Sequence, residues 1–170
     1  MGSAYLFTGM MESFSSFFMY FYYVTNYAKI SPVKLFFLFN GWTEGFEGYS
    51  QDQINEFYWT AQSVYFVSLV IIQFGNLLAT RTRHLSFFQH QPWNRKTSNK
   101  YLIFAILISL GLALIVIYVP FFNTVFKTRP IPVECWFIPI GFASWIFVSD
   151  EVRKLLVRKF PESFVAKIAW

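Results

Sequence analysis

Residues Tyr101 to Val119 read YLIFAILISLGLALIVIYV, an uninterrupted apolar run whose only small or polar breaks between the tyrosines are Ser109 and Gly111. A helix rises ~1.5 Å per residue, so roughly 20 such residues match the hydrocarbon core of a bilayer. A helix apolar on every side has no face to give to water. The run therefore predicts a membrane-spanning helix, and lipid becomes the solvent against which the rest is read.

Working outward, three further stretches have the length and composition of spans. They cover about residues 4–24 (AYLFTGMMESFSSFFMYFYYV), 57–79 (FYWTAQSVYFVSLVIIQFGNLLA) and 133–149, the last containing Pro139. The first resembles a signal peptide in position, but it lacks a basic start and carries Glu12 within the apolar run, so it reads as a retained span. The expected fold is all-α integral membrane, with four transmembrane helices forming part of a helical bundle. Residues 1–170 form one domain in this reading, and 150–170 form a cytoplasmic tail.

The composition agrees. The 170 residues are 55% apolar and only 14% charged, with 23 Phe, 10 Tyr and 6 Trp, and a mean hydropathy of +0.41. So few charges cannot cover a soluble globule of this size. Cys135 is the single cysteine, which excludes an internal disulfide and a cysteine-rich metal site.

The formal charge of +5 raises the question of nucleic acid, and the placement of the cations answers it. Arg81, Arg83, Arg95, Lys96 and Lys100 lie between the second and third spans, and Arg153, Lys154, Arg158, Lys159 and Lys167 follow the fourth. The loop after the first span holds Glu44, Glu47, Asp52 and Glu56 against Lys29 and Lys34. Cations gathered on alternate loops follow the positive-inside rule, which puts the second loop and both termini in the cytoplasm. Tyr20, Tyr22, Tyr23, Tyr58, Trp59, Tyr118 and Trp136 fall near the opposite span ends, as an interfacial aromatic belt would. The basic excess is thus a membrane anchor, and no nucleic-acid partner is expected. The acidic stretch Gly41 to Gln53 is the candidate external loop.

Polar groups inside lipid need partners, which makes each of them a candidate site. In the first span Thr8, Glu12, Ser15, Ser16 and Met19 recur at helical spacing and define a face that looks into a bundle. Gly9 and Ser13, four apart, would admit a neighbouring helix closely. Glu12 reads equally as a buried packing residue and as part of an ion or proton path. In the second span Gln73 and Asn76 are three apart, and carboxamide oxygens can replace an alkali cation's hydration shell or bond another helix. Asp150 precedes Arg153 and Lys154 by three and four residues, so with Glu151 they form an ion network where the last span meets the cytoplasm. No Walker loop, GxSxG elbow or HExxH motif is present, and His84 and His90 lie in a basic loop without metal-ligand neighbours. No metal site or catalytic residue is expected in this chain.

Specific motifs then carry a resemblance. IFVSDEVRKLLVRKFPESF at 146–164 closely resembles the tenth membrane helix and tail of the Na,K- and H,K-exchanging P-type ATPases, with their D-E-V-R-K motif. SLVIIQFGNLLATRTRHLSFFQ at 68–89 is similar to their eighth helix and its exit. NKYLIF from Asn99 resembles the start of the ninth, and GMMESFSSFFMYF from Gly9 that of the seventh.

The resemblance implies the C-terminal membrane domain of a type II cation pump. Helices seven to ten would support the ion-transport helices for monovalent cations, in a plasma membrane, with membrane lipid and the rest of a pump as partners. ATP and Mg would serve the complete pump, whose phosphorylation motif D-K-T-G-T these residues do not contain. Where the family's Q-W-A-D-L element places a cation-binding acid, this chain has Asn76 beside a retained Gln73. Ile108 and Ser109 stand where sodium pumps carry an acidic pair, which implies a weakened third sodium site. The loop after the first span lacks the S-Y-G-Q element that holds a β-subunit, so no β-subunit is expected. The rival reading from the residues is an independently folded four-span accessory or structural membrane protein.

Overall fold

A computed structural model of the chain describes residues 2–37, 48–80 and 100–159. Regular structure among the described residues is helical: α1 (Gly2–Tyr27), α2 (Pro32–Phe36), α3 (Gln51–Thr80), α4 (Lys100–Tyr118), α5 (Pro120–Phe126) and α6 (Glu134–Lys159). Three helices are long and apolar enough to cross a membrane, namely Gln51–Ala79, Tyr101–Tyr118 and Glu134–Lys159. At 26 residues α1 has the length as well. Its serines, tyrosines and Glu12 interrupt the apolar run, and it is not among those three.

The helix starts and stops have local causes. Ser50 and Gln53 form a reciprocal capping box: the Ser50 N–H donates to Gln53 Oε1 over 3.1 Å, and the Gln53 N–H reaches Ser50 Oγ at 3.5 Å. The box starts α3 at Gln51, six residues ahead of the expected span. At the end of α1 the Ile30 N–H returns to the Val24 carbonyl, with Lys29 left-handed at φ 53° and both Ile30 and Val24 buried. A left-handed residue just past the last turn is a common way for a helix to end. The last helix likewise exceeds expectation, because α6 runs unbroken through Pro139 and Ser149 to Lys159. Pro139 withholds the N–H that the Cys135 carbonyl would accept, yet it is buried and the helix continues.

α3 is the central helix, packed on α6 along one side and on α1 along the other. Small residues make this possible: Thr60, Ala61, Ser63, Val64, Val67, Ser68 and Ala79 are buried on α3. Gly75 marks the tightest approach, since a Cβ placed there would lie 2.5 Å from the Ala143 carbonyl oxygen of α6. Only a residue without a side chain lets the two backbones meet so closely. By contrast a Cβ on Gly9 would meet nothing within 4 Å, so the close approach expected at Gly9 and Ser13 is absent among the described residues.

Hydroxyls along the long helices, most of them at least half-buried, satisfy themselves on their own helices. Ser15 and Ser16 donate to the Met11 and Glu12 carbonyls, and Thr60, Ser63, Ser68 and Ser144 do the same to carbonyls four residues back, at 2.7–2.9 Å. The expected inward face of α1 is present, with Ser16 and Met19 fully buried and Phe7, Phe14 and Phe18 exposed on the other side. Tyr23 departs from the belt assigned to it: it is 6% exposed and belongs to the core. The Tyr118 and Trp136 rings stack 6.5 Å apart, and the Trp136 indole donates to the Tyr118 hydroxyl.

Candidate functional site

The basic residues of α6 build the first polar cluster. Lys154 is 3% exposed. Its Nζ donates 2.7 Å to the Ala79 carbonyl of α3, donates 3.2 Å to Glu151 Oε1 and lies 2.8 Å from Asp150 Oδ2. The last contact is an ion pair whose direction is poor for a hydrogen bond. The guanidinium of Arg153 takes the other Asp150 oxygen, at 2.7 and 3.0 Å. The four residues thus form the ion network expected from their spacing, with one partner that spacing does not reveal. Ala79 is in the last turn of α3, where carbonyls lack helical partners and the helix dipole is negative. An ammonium is the group suited to that end.

The second polar pair lies two helices across. The Glu12 and Asn76 side chains interact across the α1–α3 seam. Glu12 Oε1 is sealed from solvent and accepts no hydrogen bond among the described residues. Gln73, the other carboxamide expected here, has an exposed side chain and does not join the pair. α6 holds the last turns of α3 at Gly75 and Ala79 while α3 presents Asn76 to α1. Three residues apart, Gln73 and Asn76 lie on adjacent sides of α3, with Gln73 the more exposed of the two.

A third cluster at the opposite end of the bundle was not expected. The Arg129 guanidinium grips both Glu56 oxygens, with Nε 2.7 Å from Oε2 and Nη2 2.8 Å from Oε1. It also lies over the Trp59 ring at 4.7 Å, and Lys127 sits 5.7 Å from the same ring. The Arg129 N–H donates to Ser63 Oγ at 2.9 Å. The bonds to Glu56 hold the guanidinium above its usual pKa. The loop before α6 is therefore clamped to the first turns of α3. The sequence holds a signal for it in a cation pair close to the start of a tryptophan-bearing helix, but no spacing rule connects residues 73 positions apart.

No group of three or more His, Cys, Asp or Glu among the described residues could hold a metal ion. Glu44, Glu47, Arg81, Arg83, His84, His90, Arg95, Lys96, Lys167 and the end of the tail lie outside the described residues.

With this geometry in place, residues 1–156 match the family described as cation transporting ATPase, C-terminus. The chain belongs to that family. Among its curated relatives, the sodium/potassium-transporting ATPase subunit alpha-4 of Homo sapiens is 31% identical over 98% of this chain and 16% of its own length. The subunit alpha-2 of Bos taurus is 34% identical over 70% of this chain and 11% of its own length. This cation-transporting ATPase C-terminus thus spans about a sixth or less of the relatives it matches. It is an integral membrane protein segment, as both its family and its apolar helices show.

Proposed function

We propose that this ATPase C-terminus serves as helices seven to ten of a monovalent-cation pump, bracing the helices that carry the ions and presenting Asn76, with Glu12, beside the ion path. In this reading residues 1–170 act as one domain and α1 crosses the membrane together with α3, α4 and α6. Both termini face the cytoplasm of a plasma membrane. Gln73 stays near the path but on a neighbouring side of α3. ATP and Mg belong to the complete pump, and a β-subunit is not required.

The observation that carries this reading is the sealed Glu12 carboxyl oxygen on α1, whose side chain interacts with Asn76 of α3. A carboxyl group paired with a carboxamide between two helices of a membrane bundle is costly to keep without use. Membership in the family supplies the context, and the names of the relatives suggest sodium and potassium as the cations.

The test is a chimera in which this chain follows the first six membrane helices and cytoplasmic domains of a sodium/potassium-transporting α-subunit. Cation-stimulated ATP hydrolysis is expected, and Asn76→Asp should shift the sodium dependence. A chimera that inserts correctly in the membrane but shows no cation-stimulated hydrolysis contradicts the proposal. A sodium dependence unchanged by Asn76→Asp removes Asn76 from the ion path.

A further inference from the structure

The short helix α5 presents a surface that the pump reading does not use. α4 ends at Tyr118, and Val119 takes an extended conformation (φ −82°, ψ 122°) that turns the chain before Pro120 begins the new helix. Such a break deprives the last carbonyls of α4 of helical partners, which is expensive near lipid. Two side chains answer it. Thr128 Oγ1 donates to the Val116 carbonyl at 2.7 Å. The Asn123 amide, turned so that its nitrogen faces the carbonyls, donates 2.8 Å to Ile117 and 3.2 Å to Val116. Asn123 of α5 and Thr128 just beyond it are therefore spent on the end of α4.

What remains points outward. No residue of α5 is buried, and Phe121, Val125 and Phe126 are 69%, 58% and 57% exposed. Phe122 stacks on Phe126 and meets Phe121 edge-on. Exposed apolar side chains run along the chain from Leu112, Leu114, Ile115 and Tyr118 of α4, a helix long and apolar enough to cross a membrane, through Val119 into this patch. It also lies at the level of the Tyr118–Trp136 pair, a position where aromatic side chains mark the boundary between lipid and water.

We propose that α5 is an interfacial anchor, lying in the leaflet at the outer end of α4 with Phe121, Val125 and Phe126 inserted among lipid acyl chains. The occupant follows from continuity: the surface that covers α4 is lipid, and α5 extends that surface sideways past the end of the span. Lys127 and Arg129 are held on Trp59 and Glu56. Apolar insertion, and not attraction to anionic headgroups, is accordingly what holds the helix down.

The test is a depth measurement in the full chain reconstituted into phosphatidylcholine nanodiscs. Spin labels are placed at Val125→Cys and, separately, at Phe121→Cys in a Cys135→Ala background. Leu112→Cys serves as the lipid-facing reference and Asp52→Cys as the aqueous one. Collision with oxygen is expected to exceed collision with a water-soluble nickel complex several-fold at both α5 sites, as at Leu112. Nickel accessibility equal to that at Asp52 overturns the proposal. Protection from both reagents also overturns it, since a protein partner or a second copy would then cover the helix.

Discussion

Lys154 Nζ lies 2.7 Å from the Ala79 carbonyl oxygen, so a buried ammonium on α6 closes the end of α3. The same nitrogen answers Asp150 and Glu151, so removing it leaves buried carboxylate charge and a helix end without their cation. Lys154→Met should lower stability by about 3 kcal/mol, the scale for removing one partner of a buried ion pair. Thermal unfolding in detergent measures this. Lys154→Arg should recover part of the loss, because a guanidinium can still reach a carbonyl.

Gly75 and Gly9 make a matched comparison. Gly75→Ala forces a methyl group against the Ala143 backbone at 2.5 Å, and α3 must move from α6 to accept it. A loss of about 1–3 kcal/mol is expected. Gly9→Ala meets open space and should leave the unfolding midpoint unchanged or slightly raised, since alanine favours helix. Equal effects at the two positions would refute the assigned packing.

Glu12 and Asn76 should be coupled. A double-mutant cycle with Glu12→Leu and Asn76→Ala is expected to give a coupling energy of about 0.6 kcal/mol, with ~1.7 as the upper end for hydrogen bonds between membrane helices. Gln73→Ala, combined with Glu12→Leu, should be additive because the Gln73 side chain is exposed away from the pair. Stability in detergent read by thermal unfolding provides all three values.

The Arg129–Glu56 clamp is partly exposed, 29% and 52% for the two side chains, and is therefore worth little by itself. Breaking it with Arg129→Glu should cost about 0.2–1 kcal/mol. The swapped pair Arg129→Glu with Glu56→Arg should recover part of that. Raising the salt concentration should shrink the difference between wild type and Arg129→Glu, which separates charge pairing from simple loss of the stack on Trp59.

Much of this architecture is legible in the residues, for definite reasons. Tyr101–Val119 declares itself because length and apolarity alone decide a span. The DEVRK cluster does so because ion pairs at three and four positions share a helix face. Other features lie beyond pattern. The partner of Lys154 is a backbone carbonyl, which no residue type advertises. Gly75 is one glycine in an apolar helix, and only the opposing Ala143 backbone shows why it must be small. Tyr23 fits a belt by position but turns inward by rotation about α1. α5 is hidden because Pro120 reads as the end of a span, although SxxQ before Ile54 could have placed the start of α3.

The central claim is that α1 crosses the membrane beside three more apolar helices, so that both ends of the chain lie on one side. Ser3→Cys and Lys159→Cys, each in a Cys135→Ala background, are to be exposed to a membrane-impermeant maleimide in sealed vesicles of uniform orientation, before and after permeabilisation. The account predicts that both positions label together, either before permeabilisation or only after it. Labelling of one before and the other only after would mean an odd number of crossings, and the four-span account would fail.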